Sequence, residues 1–258
     1  MGARRSRVMV VFSDVHTPKH DEKAWRCFLD AVRKIRAVMD LVALGCLGDL
    51  LELTTATRKE RIVGDGDVTV LGEFKAGRDR LKEAAAAAGP GVYKFMLEGN
   101  HEFRYVRWLN EGGVPSEFRD ALPGDVQTGL DLKRTGWAYF DRSDQPVLVF
   151  GQWCHHGFWY GRHHAAKHVD ELGADNIYGH THRPQQFTKT NLAGSFTSTG
   201  LGCLRKLERD WEHMKGRPFN GWTHGFGVVC AVGDGRSVAY SILIEDGKAA
   251  WGGLEFRG

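Results

Sequence analysis

Residues 94–102 read KFMLEGNHE. The short apolar run Phe95-Met96-Leu97 stops at Gly99, and Asn100, His101 and Glu102 follow at once. An apolar strand, a glycine, then three side chains able to bind a metal or move a proton: this order sets chemistry at the end of a buried strand. Three further stretches repeat the design: VMVVFSDVH up to His16, LVALGCLGDLLE up to Glu52 and DNIYGHTH up to His182. Together they describe one site assembled from several strand ends, which is where open α/β sheets carry theirs.

Working outward, Val8 to Phe12 reads as a buried first strand. Trp25, Phe28, Leu29, Val32 and Ile35 keep helical spacing over Glu22 to Val38, behind a capping Asp21. Leu41 to Leu44 and Tyr93 to Leu97 are the next strands, separated by a helix over Glu73 to Ala88 that Gly89-Pro90-Gly91 stops. A helix follows the opening stretch over Phe103 to Asn110. Residues 111–146 show no readable period. Beyond them come a strand over Val147 to Phe150, a helix over His163 to Leu172, a short strand over Asn176 to Tyr178, and closing strands over Ser195 to Ser198, Phe226 to Val232 and Val238 to Ile244. The expected organisation is a single domain over 1–258, with surface insertions at about 54–72 and 204–220.

Hydrophobic content of 42% and charged content of 26% in 258 residues fit a soluble globular chain with one large core. No apolar run approaches the ~20 residues that cross a bilayer, so no membrane partner is expected. The basic lead-in MGARRSR precedes only Val8 to Phe12, with no small-residue cleavage site after it, so a first core strand is expected rather than a secretory signal. The five cysteines lack any CxxC spacing, which points to reduced thiols and a cytoplasmic protein. A net charge of +3 permits a polyanionic substrate without demanding one. No heptad pattern announces an oligomeric state.

The chemical candidates, in chain order, are Asp14, His16, Asp49, Asn100, His101, one or both of His155 and His156, His180 and His182. Carboxylate, imidazole and amide without thiolate suit Mn²⁺, Fe, Ni²⁺ or Zn²⁺. Seven or so ligands exceed what one such ion takes and suit two, with a central carboxylate able to bridge ions ~3.5–4 Å apart.

In order and spacing, Asp14-x-His16, Gly48-Asp49-x-x-Glu52, Gly99-Asn100-His101-Glu102, His156-Gly157 and Gly179-His180-x-His182 resemble the calcineurin-like metallophosphoesterases. The resemblance covers roughly residues 8–200. It implies a four-layer α/β/β/α sandwich of two mixed sheets, with a dinuclear metal site at the strand C-terminal ends. It also implies roles: Asp14, His16 and His182 on one ion, Asp49 bridging, and Asn100, His156 and His180 on the second. His101 would serve the leaving group, with Glu102 orienting it, and hydroxide bridging the ions would attack phosphorus. Glu52 stands where Asp is frequent and is not counted as a ligand. His156 is preferred over His155 because the family's ligand precedes a glycine; His155 stays open as the ligand or as a substrate contact.

Arg104 and Arg107 sit beside the site as candidate phosphate contacts, or as a helix face paired with Glu111. The aromatic and basic stretches 158–162 and 205–217 either stack nucleobases or anchor loops. The favoured activity is a phosphodiesterase acting on nucleotides or nucleic acid with two divalent ions, Mn²⁺ being the ion for assays. A phosphomonoesterase on a small metabolite or phosphoprotein, and a non-catalytic metal-binding scaffold, are the alternatives.

Overall fold

A computed structural model describes residues 5–56, 68–111, 114–141, 144–207, 220–233 and 235–258. The chain begins β1 (Arg7–Phe12), α1 (Glu22–Val38) and β2 (Asp40–Cys46), followed by a single 3₁₀ turn at Thr54–Ala56, then α2 (Val70–Ala88), β3 (Tyr93–Leu97) and α3 (Asn100–Asn110). Three one-turn helices, α4 (Ser116–Arg119), α5 (Val126–Gly129) and α6 (Leu132–Thr135), lead to β4 (Trp137–Phe140). The second half supplies β5 (Val147–Val149), β6 (Gln152–His155), α7 (His164–Leu172), β7 (Asn176–Tyr178), β8 (Gln185–Asn191) and β9 (Gly194–Gly200). It closes with β10 (His224–Gly233), β11 (Arg236–Ile244), β12 (Lys248–Trp251) and β13 (Leu254–Arg257).

One sheet runs β11-β10-β1-β2-β3-β4 and a second runs β5-β6-β7-β9-β8. Both are mixed: β1 to β4 are parallel with β10 antiparallel to β1, and β6, β7 and β9 are parallel with antiparallel edges. Alternation along β1 sets the layering, since successive side chains on a strand point to opposite faces. Val8, Val10 and Phe12 pack with Trp25, Phe28 and Val32 of α1 and with Phe74 and Leu81 of α2. Met9 and Val11 instead meet Cys154 of β6, Ile177 of β7 and Leu201, between the sheets. Burying a side chain of this kind fully contributes about 1.5–3 kcal/mol, so both faces of β1 hold the molecule together. Helix α7 lies on β7, β8 and β9, completing the expected α/β/β/α order.

Local chemistry explains most boundaries. The Asp21 Oδ1 accepts the Ala24 N–H at 2.9 Å and caps α1. The strand expected over Val147 to Phe150 is instead the first arm of a β5–β6 hairpin. Phe150 (φ 51°) and Gly151 (φ 75°) form its two-residue turn, both left-handed as such a turn requires. Helix α3 starts at Asn100, inside the opening motif rather than at Phe103, because the Glu102 carboxylate accepts the Gly99 N–H at 3.0 Å and caps it there. Strand β8 and the β12–β13 hairpin escape the sequence reading. β8 is mostly polar and exposed, and β12 and β13 are four residues each, too short for a period to show. Of the expected insertions, 57–67 and 208–219 lie outside the described residues, while Val70 already belongs to α2. Among the described residues no helix is long and apolar enough to cross a membrane.

Candidate metal centre

Five chain segments leave the C-terminal ends of β1, β2, β3, β6 and β7 and converge. To turn their side chains inward, Asp14 (φ 56°), His16 (φ 51°), Asp49 (φ 50°), His180 (φ 68°) and His182 (φ 56°) all adopt left-handed backbone. Each such residue costs about 1–2 kcal/mol, and strain of this kind collects at functional sites. Two glycines permit the close approach. A Cβ at Gly99 would run into Asp49 Oδ1 and its backbone nitrogen, and one at Gly179 into Ser13 Oγ and Asp14 Oδ2.

The side chains form two donor sets that share Asp49. In the first, His182 Nε2 lies 3.2 Å from Asp14 Oδ1 and 3.1 Å from His16 Nε2, and His16 Nε2 is 3.8 Å from both Asp14 Oδ1 and Asp49 Oδ2. In the second, Asn100 Oδ1 is 3.0 Å from His156 Nε2 and 2.8 Å from His180 Nδ1, while Asp49 Oδ2 is 3.2 Å from His156 Nε2. Asp49 Oδ2 therefore stands between the sets. Its other oxygen, Oδ1, accepts the His101 N–H at 2.9 Å at the start of α3, where the helix dipole favours negative charge.

A surrounding layer fixes these groups. The His156 Nδ1–H donates to Leu47 O at 2.8 Å, which turns Nε2 toward Asp49. The His101 Nδ1–H donates to Glu52 O at 2.5 Å, which turns its Nε2 to the cleft. The Glu52 carboxylate is 2.8 Å from His16 Nδ1, an ion-pair contact rather than an aligned hydrogen bond. It also meets Lys19 at 3.3 Å and Arg205 at 3.6 Å. Sequence reasoning passed Glu52 over. Its place in the second motif was visible, but its aim toward His16 depends on how the loops fold.

Glu102 differs from expectation. It does not orient His101. Oε2 accepts the N–H groups of Asp49 (2.9 Å) and Gly99 (3.0 Å), and Oε1 accepts that of Leu51 (2.9 Å). It thus ties the β2 loop to the start of α3. Three buried donors depend on it, and an unsatisfied buried donor costs about 1–3 kcal/mol. Successive helical residues point about 100° apart, so neighbours in sequence serve different partners here.

Charge follows from these contacts. Burial opposes protonation of His16 and His156, yet Asp14 and Glu52 lift His16 to about 9, and Asp49 lifts His156 to about 10. Burial prevails at His101 and His180, which are pushed down to about 3 and about 4. Despite their own burial, Asp14 and Asp49 are held well below the usual carboxylate range, by His182 and His156 respectively.

The donors fit divalent cations. Asp14 Oδ1 is buried without an aligned hydrogen-bond donor, and two imidazole nitrogens, of His16 and His182, face each other at 3.1 Å. Such an arrangement wants a shared cation. Asp14-His16-His182 and Asp49-His156-His180 each bring their ligand atoms within 4.8 Å of one another. Asn100 joins the second set through its amide oxygen. A third grouping, His16-Glu52-His101, meets the same limit. Within it, Glu52 lies 2.8 Å from His16 Nδ1.

His16, Asp49, Asn100, His101, His180 and His182 floor a cleft of about 750 Å³ whose walls include Tyr160, Arg162, Arg183, Arg205 and Trp222. Arg205 stacks over Trp222 at 5.2 Å, and the Trp222 ring packs 4.5 Å from His182. Trp222 carried no sequence signal, since only the fold brings β10's approach to this wall. Other substrate candidates lie elsewhere. Arg107 is on the solvent face of α3, paired with Glu111 at 3.1 Å. Arg104 is half-buried one turn after His101, and its charge helps to depress that imidazole. His155 is buried away from the cleft, stacked between Phe158 and Tyr178 at 4.7 and 5.2 Å and bonded to Asn176.

Two solved structures are similar to this chain over most of its length. A metallophosphoesterase from Sphaerobacter thermophilus matches with a TM-score of 0.44 and 12% identity, over 93% of this chain and 89% of that one. Nuclease MPE from Pseudomonas putida matches with a TM-score of 0.35 and 16% identity, over 90% of this chain and 87% of that one. No protein-family model matches the sequence, and no curated protein does.

Proposed function

We propose that this chain is a metal-dependent phosphoester hydrolase of the calcineurin-like metallophosphoesterase kind. Its preferred substrates would be phosphodiesters of nucleotides or nucleic acid. The observation that carries the reading is the pair of donor sets sharing Asp49 Oδ2 at the floor of an arginine- and aromatic-walled cleft. Bound there, two divalent cations would supply an activated water and positive charge against the phosphoryl oxygens.

The chain's own groups divide the remaining work. Asp14, His16 and His182 would hold one ion, Asn100, His156 and His180 the other, with Asp49 common to both. His101 presents Nε2 to the cleft with Nδ1–H committed to Glu52, which supports a role in which it would meet the leaving-group oxygen. A phosphoester anion there supplies the countercharge that a proton on Nε2 needs. Arg162, Arg183 and Arg205 give the walls positive charge for non-reacting phosphate oxygens. Aromatic walls beside each donor set, Tyr160 by His180 and Trp222 by His182, suit a phosphorus with two organic substituents.

The test is hydrolysis by Mn²⁺-loaded protein of bis-p-nitrophenyl phosphate against p-nitrophenyl phosphate. The diester is expected to give the higher kcat/KM. Preference for the monoester would overturn the diester assignment, and hydrolysis of neither would favour a metal-binding scaffold.

A further inference from the structure

The loop between β6 and α7 carries Phe158-Trp159-Tyr160-Gly161-Arg162, and the fold separates its three aromatic rings. Phe158 stacks on His155 at 4.7 Å, with planes 10° apart. Trp159 packs edge-on against His168 at 4.8 Å, with Lys167 over its face at 5.8 Å. These two anchor the loop. Tyr160 is 72% exposed, lines the cleft, and has its ring 6.3 Å from that of His180.

The backbone on both sides of Tyr160 is bolted down. His168 is fully buried, and its Nδ1–H donates to His164 O at 2.7 Å. That leaves Nε2 to accept the N–H groups of Phe158 (3.0 Å) and Trp159 (3.4 Å). Burial pushes this imidazole down to about 4, which keeps Nε2 an acceptor. Arg183 donates to Tyr160 O at 2.7 Å, and the Gln185 amide donates to Arg162 O at 3.0 Å. A single exposed aromatic on a loose loop is ordinary. Here a buried histidine, an arginine and a glutamine hold one exposed ring beside the second donor set.

We propose that Tyr160 is a stacking subsite for an unpaired nucleobase attached to the scissile phosphate, on the His180 side of the metal centre. This rests on the phosphodiester reading above and adds the chemistry of one substituent. A flat ring beside the floor offers its face to the organic group of a diester, and Arg162 and Arg183 line the same cleft with positive charge for the anionic backbone. The loop backbone is already held, so stacking forfeits little loop entropy. Stacking on an aromatic side chain uses the face of a base, which stacking on its neighbours within a duplex does not leave open.

The experiment compares Mn²⁺-loaded wild type, Tyr160→Ala and Tyr160→Phe on a short oligodeoxythymidylate and on an abasic strand of equal length. Metal content is measured for each protein. Tyr160→Ala is expected to raise KM for the thymidylate about tenfold with little change in kcat. Tyr160→Phe should stay close to wild type, and the abasic strand should show one KM for all three proteins. An unchanged KM in Tyr160→Ala, or an equal rise on both strands, would overturn the subsite while wild-type cleavage leaves the phosphodiesterase reading standing. Wild type that cleaves neither strand yet hydrolyses a phosphomonoester would remove that reading, and the subsite with it.

Discussion

Asp49→Asn is expected to lower kcat on bis-p-nitrophenyl phosphate by at least about 10³-fold, some 4 kcal/mol of transition-state stabilisation. The reason lies in the two oxygens of one buried carboxylate. Oδ1 accepts the His101 N–H at 2.9 Å, a bond that an asparagine oxygen keeps. Oδ2 stands 3.2 Å from His156 Nε2 and 3.8 Å from His16 Nε2. An amide NH₂ in that position donates where a metal ligand has to accept, and removes the negative charge common to both donor sets. The loop and the start of α3 are therefore expected to hold while the shared ligand is lost. Near-UV circular dichroism should match wild type as turnover and metal content fall together. A variant retaining most of its activity would show that Asp49 is not the shared ligand.

His101→Ala is expected to separate rate from metal binding. Alanine keeps the backbone N–H that Asp49 accepts, so the metal centre keeps its geometry. What disappears is the imidazole that Glu52 O aims into the cleft. Loss of a general acid–base group typically costs on the order of 10²–10⁴-fold, and kcat should fall within that range while bound metal per chain stays at the wild-type value. An equal fall in both would move His101 into the ligand set with His16 and Glu52, a grouping whose atoms are close enough to permit it.

The donor residues were legible because each sits directly after an apolar strand, where its position along the chain is also its position in space. Asp14, His16, Asp49 and Asn100 follow strands of one sheet and His156, His180 and His182 strands of the other, so their convergence also needs the two sheets packed face to face. The choice between His155 and His156 needed the fold. Cys154 points between the sheets, alternation along β6 sends His155 to the opposite face beneath α7, and His156 is the first residue free to turn toward Asp49. Glu102 was misread because adjacency in sequence is not adjacency around a helix. Arg107 was a plausible neighbour by count, but its pairing with Glu111 four residues on is what an exposed helix face offers. The cleft wall was the least visible part. Trp222 and Arg205 meet across an excursion of the chain, and nothing in their local sequence records that contact.

Hydrolysis of phosphodiesters by a centre of two ions is tested by titrating metal-free protein with Mn²⁺ and following the rate of bis-p-nitrophenyl phosphate hydrolysis against ions added per chain. The rate is expected to climb and to break at two equivalents. A break at one equivalent, or no dependence on Mn²⁺, would contradict it.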